Sequence, residues 1–62
     1  MSEIYFEYQI QGAYVRVRDL EPETLTEAVV VVSKGLSVEQ MNYQALQKLQ
    51  YILKKKAEEQ SS

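Results

Sequence analysis

Four acidic residues, Asp19, Glu21, Glu23 and Glu27, crowd one short stretch of the chain and would offer a hard cation such as calcium several carboxylate oxygens. The ligand pattern is poorly met. An EF-hand loop needs a glycine at its sixth position and a helix on either side, whereas Pro22 and strand-forming sequence stand here. The group reads as a solvated acidic turn, with no metal. Tyr5, Tyr14, Arg16 and Arg18 recur at strand spacing, an arrangement on which nucleic-acid bases stack beside cations. Glu3 and Glu7 share that face and repel phosphates, so cross-strand neutralisation is the stronger reading of the arginines.

Other chemistry is limited by composition. The 62 residues include neither histidine nor cysteine, which removes the usual bases, thiol nucleophiles and zinc ligands. Ser2, Ser33, Ser37, Ser61 and Ser62 therefore have no imidazole to activate them, and Gly12 and Gly35 cannot build a phosphate-cradling loop. Glu3 and Glu7 sit on a strand open to water, without the burial that tunes a catalytic carboxylate. The expectation is a protein that is not an enzyme and holds no cofactor. Seven basic and nine acidic residues give a net charge of -2, so the whole chain lacks the basic footprint of a general nucleic-acid binder. The beginning, "MSEIYFEYQ", has no basic segment followed by an apolar one, and no apolar run approaches a membrane span. A cytoplasmic protein is expected.

The elements that must position these residues follow from periodicity. In "EIYFEYQI" Ile4, Phe6, Tyr8 and Ile10 alternate with Glu3, Tyr5, Glu7 and Gln9, which predicts a strand over 3–10 with one core face. Alternation resumes in "AYVRVRD" as Ala13, Val15 and Val17, a strand over 13–19. A two-residue turn at Gln11 and Gly12 would pair Tyr8 with Val15 and Phe6 with Val17, and on the other face Glu7 with Arg16 and Tyr5 with Arg18. Pro22 starts a type I turn. If Glu21 pairs with Thr26, Val30 and Val32 face Val17 and Val15 in a third strand over 27–33. Val29 and Val31 are then left beside Arg18 and Arg16 on the outer face, where a solvated strand has no need of valine.

Ser37 and Gln40 form a capping box, and Leu36 with Met41 a hydrophobic staple, so a helix is predicted over 38–57. Val38, Met41, Ala45, Leu46, Leu49, Ile52 and Leu53 make its apolar arc, with Gln44, Gln47, Gln50 and Lys54 outward and 58–62 as a frayed tail. The arc is needed to cover the sheet, which argues against a membrane-surface helix. The fold class is α+β: a single domain over 1–62, a three-stranded antiparallel β-meander with one C-terminal α-helix packed on one face.

Three stretches, "YFEYQIQGAYVRV" with Gly12, "EPETLTEAVVV" with Thr26 and Glu27, and "ALQKLQYILKKK" with Ala45, Lys48, Leu49, Tyr51 and Leu53, resemble a family of small uncharacterised proteins found mainly in alphaproteobacteria. The chain departs from it in Leu25, where such turns usually carry glycine, and in "SKGLS", which replaces a Gly-Pro type loop. The resemblance implies a ββ(β)α fold and no activity. The order β-β-β-α is also similar to the latter part of double-stranded-RNA-binding domains. Those carry lysines at the start of the last helix, where Val38, Glu39 and Gln40 stand here, so that function is not carried over.

The functional expectation is a small non-enzymatic protein–protein interaction module. Its candidate surface is Tyr5, Tyr14, Arg16, Arg18, Val29 and Val31 on the helix-free sheet face. Its partner is an unidentified protein or a second copy of the chain in a homodimer, with nucleic acid on the same face as the alternative.

Overall fold

The computed structural model describes residues 3–61 and is the β-β-β-α architecture that the periodicity calls for. Strands β1 (Tyr5–Gln11), β2 (Tyr14–Glu21) and β3 (Thr26–Ser33) form one antiparallel sheet in the order β1-β2-β3, and helix α1 (Val38–Ser61) crosses one face. Both β1 and β3 are therefore edge strands.

The β2–β3 register is the expected one: Glu21 faces Thr26, Val17 faces Val30 and Val15 faces Val32. The hairpin before it is set two residues away from the expected pairing. Gly12 and Ala13, not Gln11 and Gly12, form the turn, so Ile10 faces Val15, Tyr8 faces Val17 and Phe6 faces Asp19. The physical reason is Gly12, whose φ of 62° is positive while Ala13's is not. That combination belongs to a type II′ turn, which takes glycine at its first central position. A slip of two residues leaves every side chain on its original face, so the core side of the sheet is unchanged. Past Pro22 the chain returns through Leu25, whose φ of 55° puts a leucine in the left-handed conformation that glycine adopts without strain.

The helix starts as expected. Ser37 Oγ accepts from the Gln40 amide at 3.1 Å, and Gln40 Oε1 accepts from the Ser37 amide at 3.2 Å. Met41 is buried, and Leu36 packs against the same cluster. The helix extends to Ser61 instead of ending near 57, since Ala57, Glu58, Glu59 and Gln60 are all good helix formers. Its 24 residues span about 36 Å, and the eight of β3 about 27 Å, so α1 outruns the sheet. Lys56, donating to Thr26 Oγ1 at 2.8 Å, marks the sheet's far end.

Helix α1 lies over β2 and β3. Val15, Val17, Val32, Met41 and Ala45 are buried there, with Phe6, Val30 and Leu36 packed against them, and Ala28 and Leu49 are buried further along. A helix is about 10 Å wide and a strand about 4.8 Å, so one helix roofs two strands and leaves the third. Tyr8 and Ile10, expected in the core, are consequently 42% and 65% exposed, and Val38 at the start of α1 is exposed beside them. The core is small, and a domain of this size is expected to be marginally stable alone.

Candidate interaction surface

The helix-free face is built from four cross-strand rows. Gln11, Tyr14 and Ser33 form the first, Gln9, Arg16 and Val31 the second, Glu7, Arg18 and Val29 the third, and Tyr5, Leu20 and Glu27 the fourth. Tyr14, Arg16, Val31 and Val29 are thereby brought together. Tyr5 is not with them: three rows at two residues each set it about 20 Å from Tyr14. Its neighbour across the ladder is Leu20, not Arg18, and its hydroxyl donates to Glu3 Oε2 at 2.9 Å.

The two arginines fare differently. The Arg18 Nε donates to Glu27 Oε2 at 2.7 Å, its Nη2 lies 2.6 Å from the same oxygen, and its Nη1 is 4.0 Å from Glu7. The expected Glu7–Arg16 pair is therefore replaced by Glu7–Arg18, a direct result of the hairpin register. Arg16 makes no ion pair among the described residues. Val31 is 62% exposed, while Val29, flanked by the Arg18 row, is half-buried.

The acidic turn is not a solvated one. Asp19 and Glu21 lie on the helix side of the sheet, both buried, and Thr26 is buried with them. Glu21 accepts from the Thr24 hydroxyl at 2.8 Å and the Thr24 amide at 3.0 Å, and also from the Glu23 amide. The Thr24 hydroxyl, above all, lowers its pKa; burial opposes, and the Glu23 and Thr24 amides and the Lys56 charge add to the lowering. Asp19 is fully enclosed, and neither carboxylate oxygen has a hydrogen-bond partner among the described residues. Burial raises its pKa; the nearby Asp19 and Ala28 amides and the Lys48 ammonium offset only part of this. The clue was in the sequence: Asp19 continues the phase of Val15 and Val17.

A second feature was not read from the sequence. Beyond the β3 edge, α1 presents Tyr43, Gln47 and Tyr51, four residues apart, over a groove of about 710 Å³ floored by Val30. The Gln47 side-chain amide donates to the Tyr43 hydroxyl at 2.6 Å, and Lys48 Nζ donates to the Val29 carbonyl at 2.6 Å. On the other side of the helix, Tyr8, Ile10, Val15, Leu36, Val38 and Met41 surround a smaller apolar hollow. Among the described residues no three metal-binding side chains gather, and no helix is long and apolar enough to cross a membrane.

Fold and surface together define a small α+β domain: among the described residues, an open three-stranded sheet roofed on one side by a single helix and bare on the other. The chain belongs to the DUF6898 family, a domain of unknown function, whose family model matches residues 1–56. That match ends at Lys56, the residue that ties α1 to the end of β3. No curated protein and no solved structure matches the chain.

Proposed function

We propose that this protein is a small, non-enzymatic, cytoplasmic interaction module that docks a protein partner on its helix-free sheet face. The observation that carries this reading is the exposed patch of Tyr14 and Val31, with Val29 and Arg16 alongside, which no element among the described residues covers. Solvent-facing strand positions are served as well by threonine, so β-propensity alone does not call for two valines there, and an apolar partner surface gives them a further use. Arg16, without an ion pair among the described residues, adds a charge that a partner's carboxylate would satisfy. The nucleic-acid reading is weaker on this geometry. Arg18 is engaged by Glu27 and Glu7, and Tyr5 stands far from Tyr14, so the cations and rings do not form one stacking track.

The test is affinity capture from the source cell with the unmodified chain and with a Val29→Thr, Val31→Thr chain. Threonine keeps the β-propensity, and Val30 and Val32 still pack under α1, so the variant stays folded. The reading expects one partner protein in stoichiometric yield with the unmodified chain and its loss with the variant. Equal recovery by both chains would remove the sheet face from the account.

A further inference from the structure

The two edges of the sheet present different backbone groups. The amide of Lys34 donates to the Ala13 carbonyl at 2.9 Å, continuing the β2–β3 ladder by one pair. Alternation then makes Val32, Val30, Ala28 and Thr26 the residues that bond to β2, and turns the N–H and C=O of Glu27, Val29, Val31 and Ser33 to the open side, where the Ser33 carbonyl already accepts from the Leu36 amide at 3.1 Å. Such a row is a template for another strand. Beside it runs the groove under Tyr43, Gln47 and Tyr51, so a strand added there would lie beneath a second layer and not merely along a bare edge.

We propose that β3 pairs antiparallel with β3 of a second copy of this chain, about a two-fold axis at Val30, giving a six-stranded sheet with two adjoining helices. The strand is self-complementary in that register. Val30 faces Val30, Val29 faces Val31, Ala28 faces Val32 and Glu27 faces Ser33, so no like charges meet; the outward amides of Val29 and Val31 find each other's carbonyls, and that of Glu27 meets the Ser33 carbonyl, which keeps a second lone pair beside the one the Leu36 amide takes. A shift of two residues either way would set Glu27 against Val31 or Val29 against Ser33, at a loss of apolar contact.

The second layer also fits. Helix α1 covers β2 and β3, so its axis runs between them, about half a strand spacing in from β3; adding a second β3 at about 4.8 Å brings the two helices to about 10 Å. That is the usual distance between packed helices. Tyr43 of each copy then approaches Tyr51 of the other across Gln47. Lys48, already on the Val29 carbonyl, leaves that oxygen a second lone pair for the incoming amide, and the buried Asp19 carboxylate counters its charge from within each copy. On the opposite side Val29 and Val31 of both copies become one valine ridge at the centre of the enlarged bare face. The pairing rests on the edge and the groove and does not depend on the docking reading: the Val29→Thr, Val31→Thr chain should lose the partner and keep the pairing.

The test uses the full chain, whose lack of cysteine makes any introduced thiol unique. Val30→Cys places two thiols across the axis in a non-hydrogen-bonded pair with Cα atoms about 4.5 Å apart, within disulfide reach. Val30→Cys should form a disulfide dimer on mild oxidation, and Tyr14→Cys, on the central strand, should not at the same concentration. In a second arm, Val31→Pro removes an outward N–H without touching the ladder to β2, so the monomer still folds. Sedimentation at about 1 mM should show the unmodified chain as a dimer and Val31→Pro weakened by about tenfold or more, from two lost hydrogen bonds. A monomeric unmodified chain, cross-linking through Tyr14→Cys in preference to Val30→Cys, or undiminished association of Val31→Pro would each overturn the proposal. Capture of a strand from a different protein by an otherwise monomeric chain would overturn it in favour of that partner.

Discussion

Strands β1 and β3 occupy equivalent places on either side of β2, yet their surroundings differ. The inner side chains of β3, Ala28, Val30 and Val32, lie under α1 with Ala45, Leu49 and Met41, whereas Tyr8 and Ile10 of β1 extend beyond the helix into water. What holds β1 is its ladder to β2, the packing of Phe6 against the core, the Phe6–Tyr8 stack at 6.5 Å and a hydrogen bond from the Tyr8 hydroxyl to Asn42. The edges differ too: the open backbone of β3 adjoins the helix groove, and Lys48 already bonds to it. A single helix on a three-stranded sheet therefore divides the molecule into a packed half and a lightly held strand.

That contrast makes graded predictions. The largest effect is expected at Leu49, fully buried in the packed half: Leu49→Ala should lower stability by about 2 to 5 kcal/mol in urea unfolding, enough to unfold a marginal domain. A well-folded Leu49→Ala protein with an unchanged midpoint would erase the distinction between the halves.

Next come the two buried acids, which should respond to pH with opposite signs. Asp19, raised by burial, holds its proton more tightly when folded; its contribution is full below its unfolded value near 3.8 and is lost as pH rises through the folded value. Asp19→Asn should therefore stabilise the protein at neutral pH, by about 1 kcal/mol or more for an unsatisfied buried charge, and make no difference at about pH 3. Glu21, lowered chiefly by the Thr24 hydroxyl, contributes above its unfolded value and loses that contribution as pH falls through its folded one. Glu21→Gln should destabilise at neutral pH, with the difference vanishing in acid. Unfolding midpoints of the two variants across pH that move together would contradict the assignment.

Smaller effects follow. Ser37→Ala removes the N-cap of α1 and should cost about 1 kcal/mol. Ile10→Thr, on the uncovered strand, should change stability by less than about 0.5 kcal/mol, as at other exposed sites. A cost for Ile10→Thr as large as that of Leu49→Ala would mean that something covers β1 in solution.

The parts of this fold that were readable in the sequence are those set by parity and by local hydrogen bonding. Alternation assigned the faces of all three strands, the length of the Pro22 loop fixed β2 against β3, and Ser37 with Gln40 marked the helix start. A period of two cannot distinguish a turn at Gln11 and Gly12 from one at Gly12 and Ala13, and only the glycine's positive φ does. The charge of Asp19 argues for solvent and its phase, the one that puts Val15 and Val17 in the core, argues for burial; the phase decides. An apolar helical arc says which side packs, not which strands lie beneath it, so the exposure of Ile10 and Val38 and the groove beside β3 needed the three-dimensional arrangement. Of the candidate surface, Tyr14, Arg16, Val29 and Val31 follow from the β2–β3 register, which the loop length sets, and the place of Tyr5 depends on the β1–β2 register, which parity leaves open.

The difference between the two edges can be measured through their amides. In β3 the outward amides are those of Glu27, Val29, Val31 and Ser33, and in β1 those of Phe6, Tyr8 and Ile10. Hydrogen exchange followed by NMR on dilute protein and again at about 1 mM would read both sets at once. The account predicts that protection rises with concentration at Val29 and Val31 and stays unchanged along β1; protection that is independent of concentration in β3, or that rises in β1 instead, would contradict it.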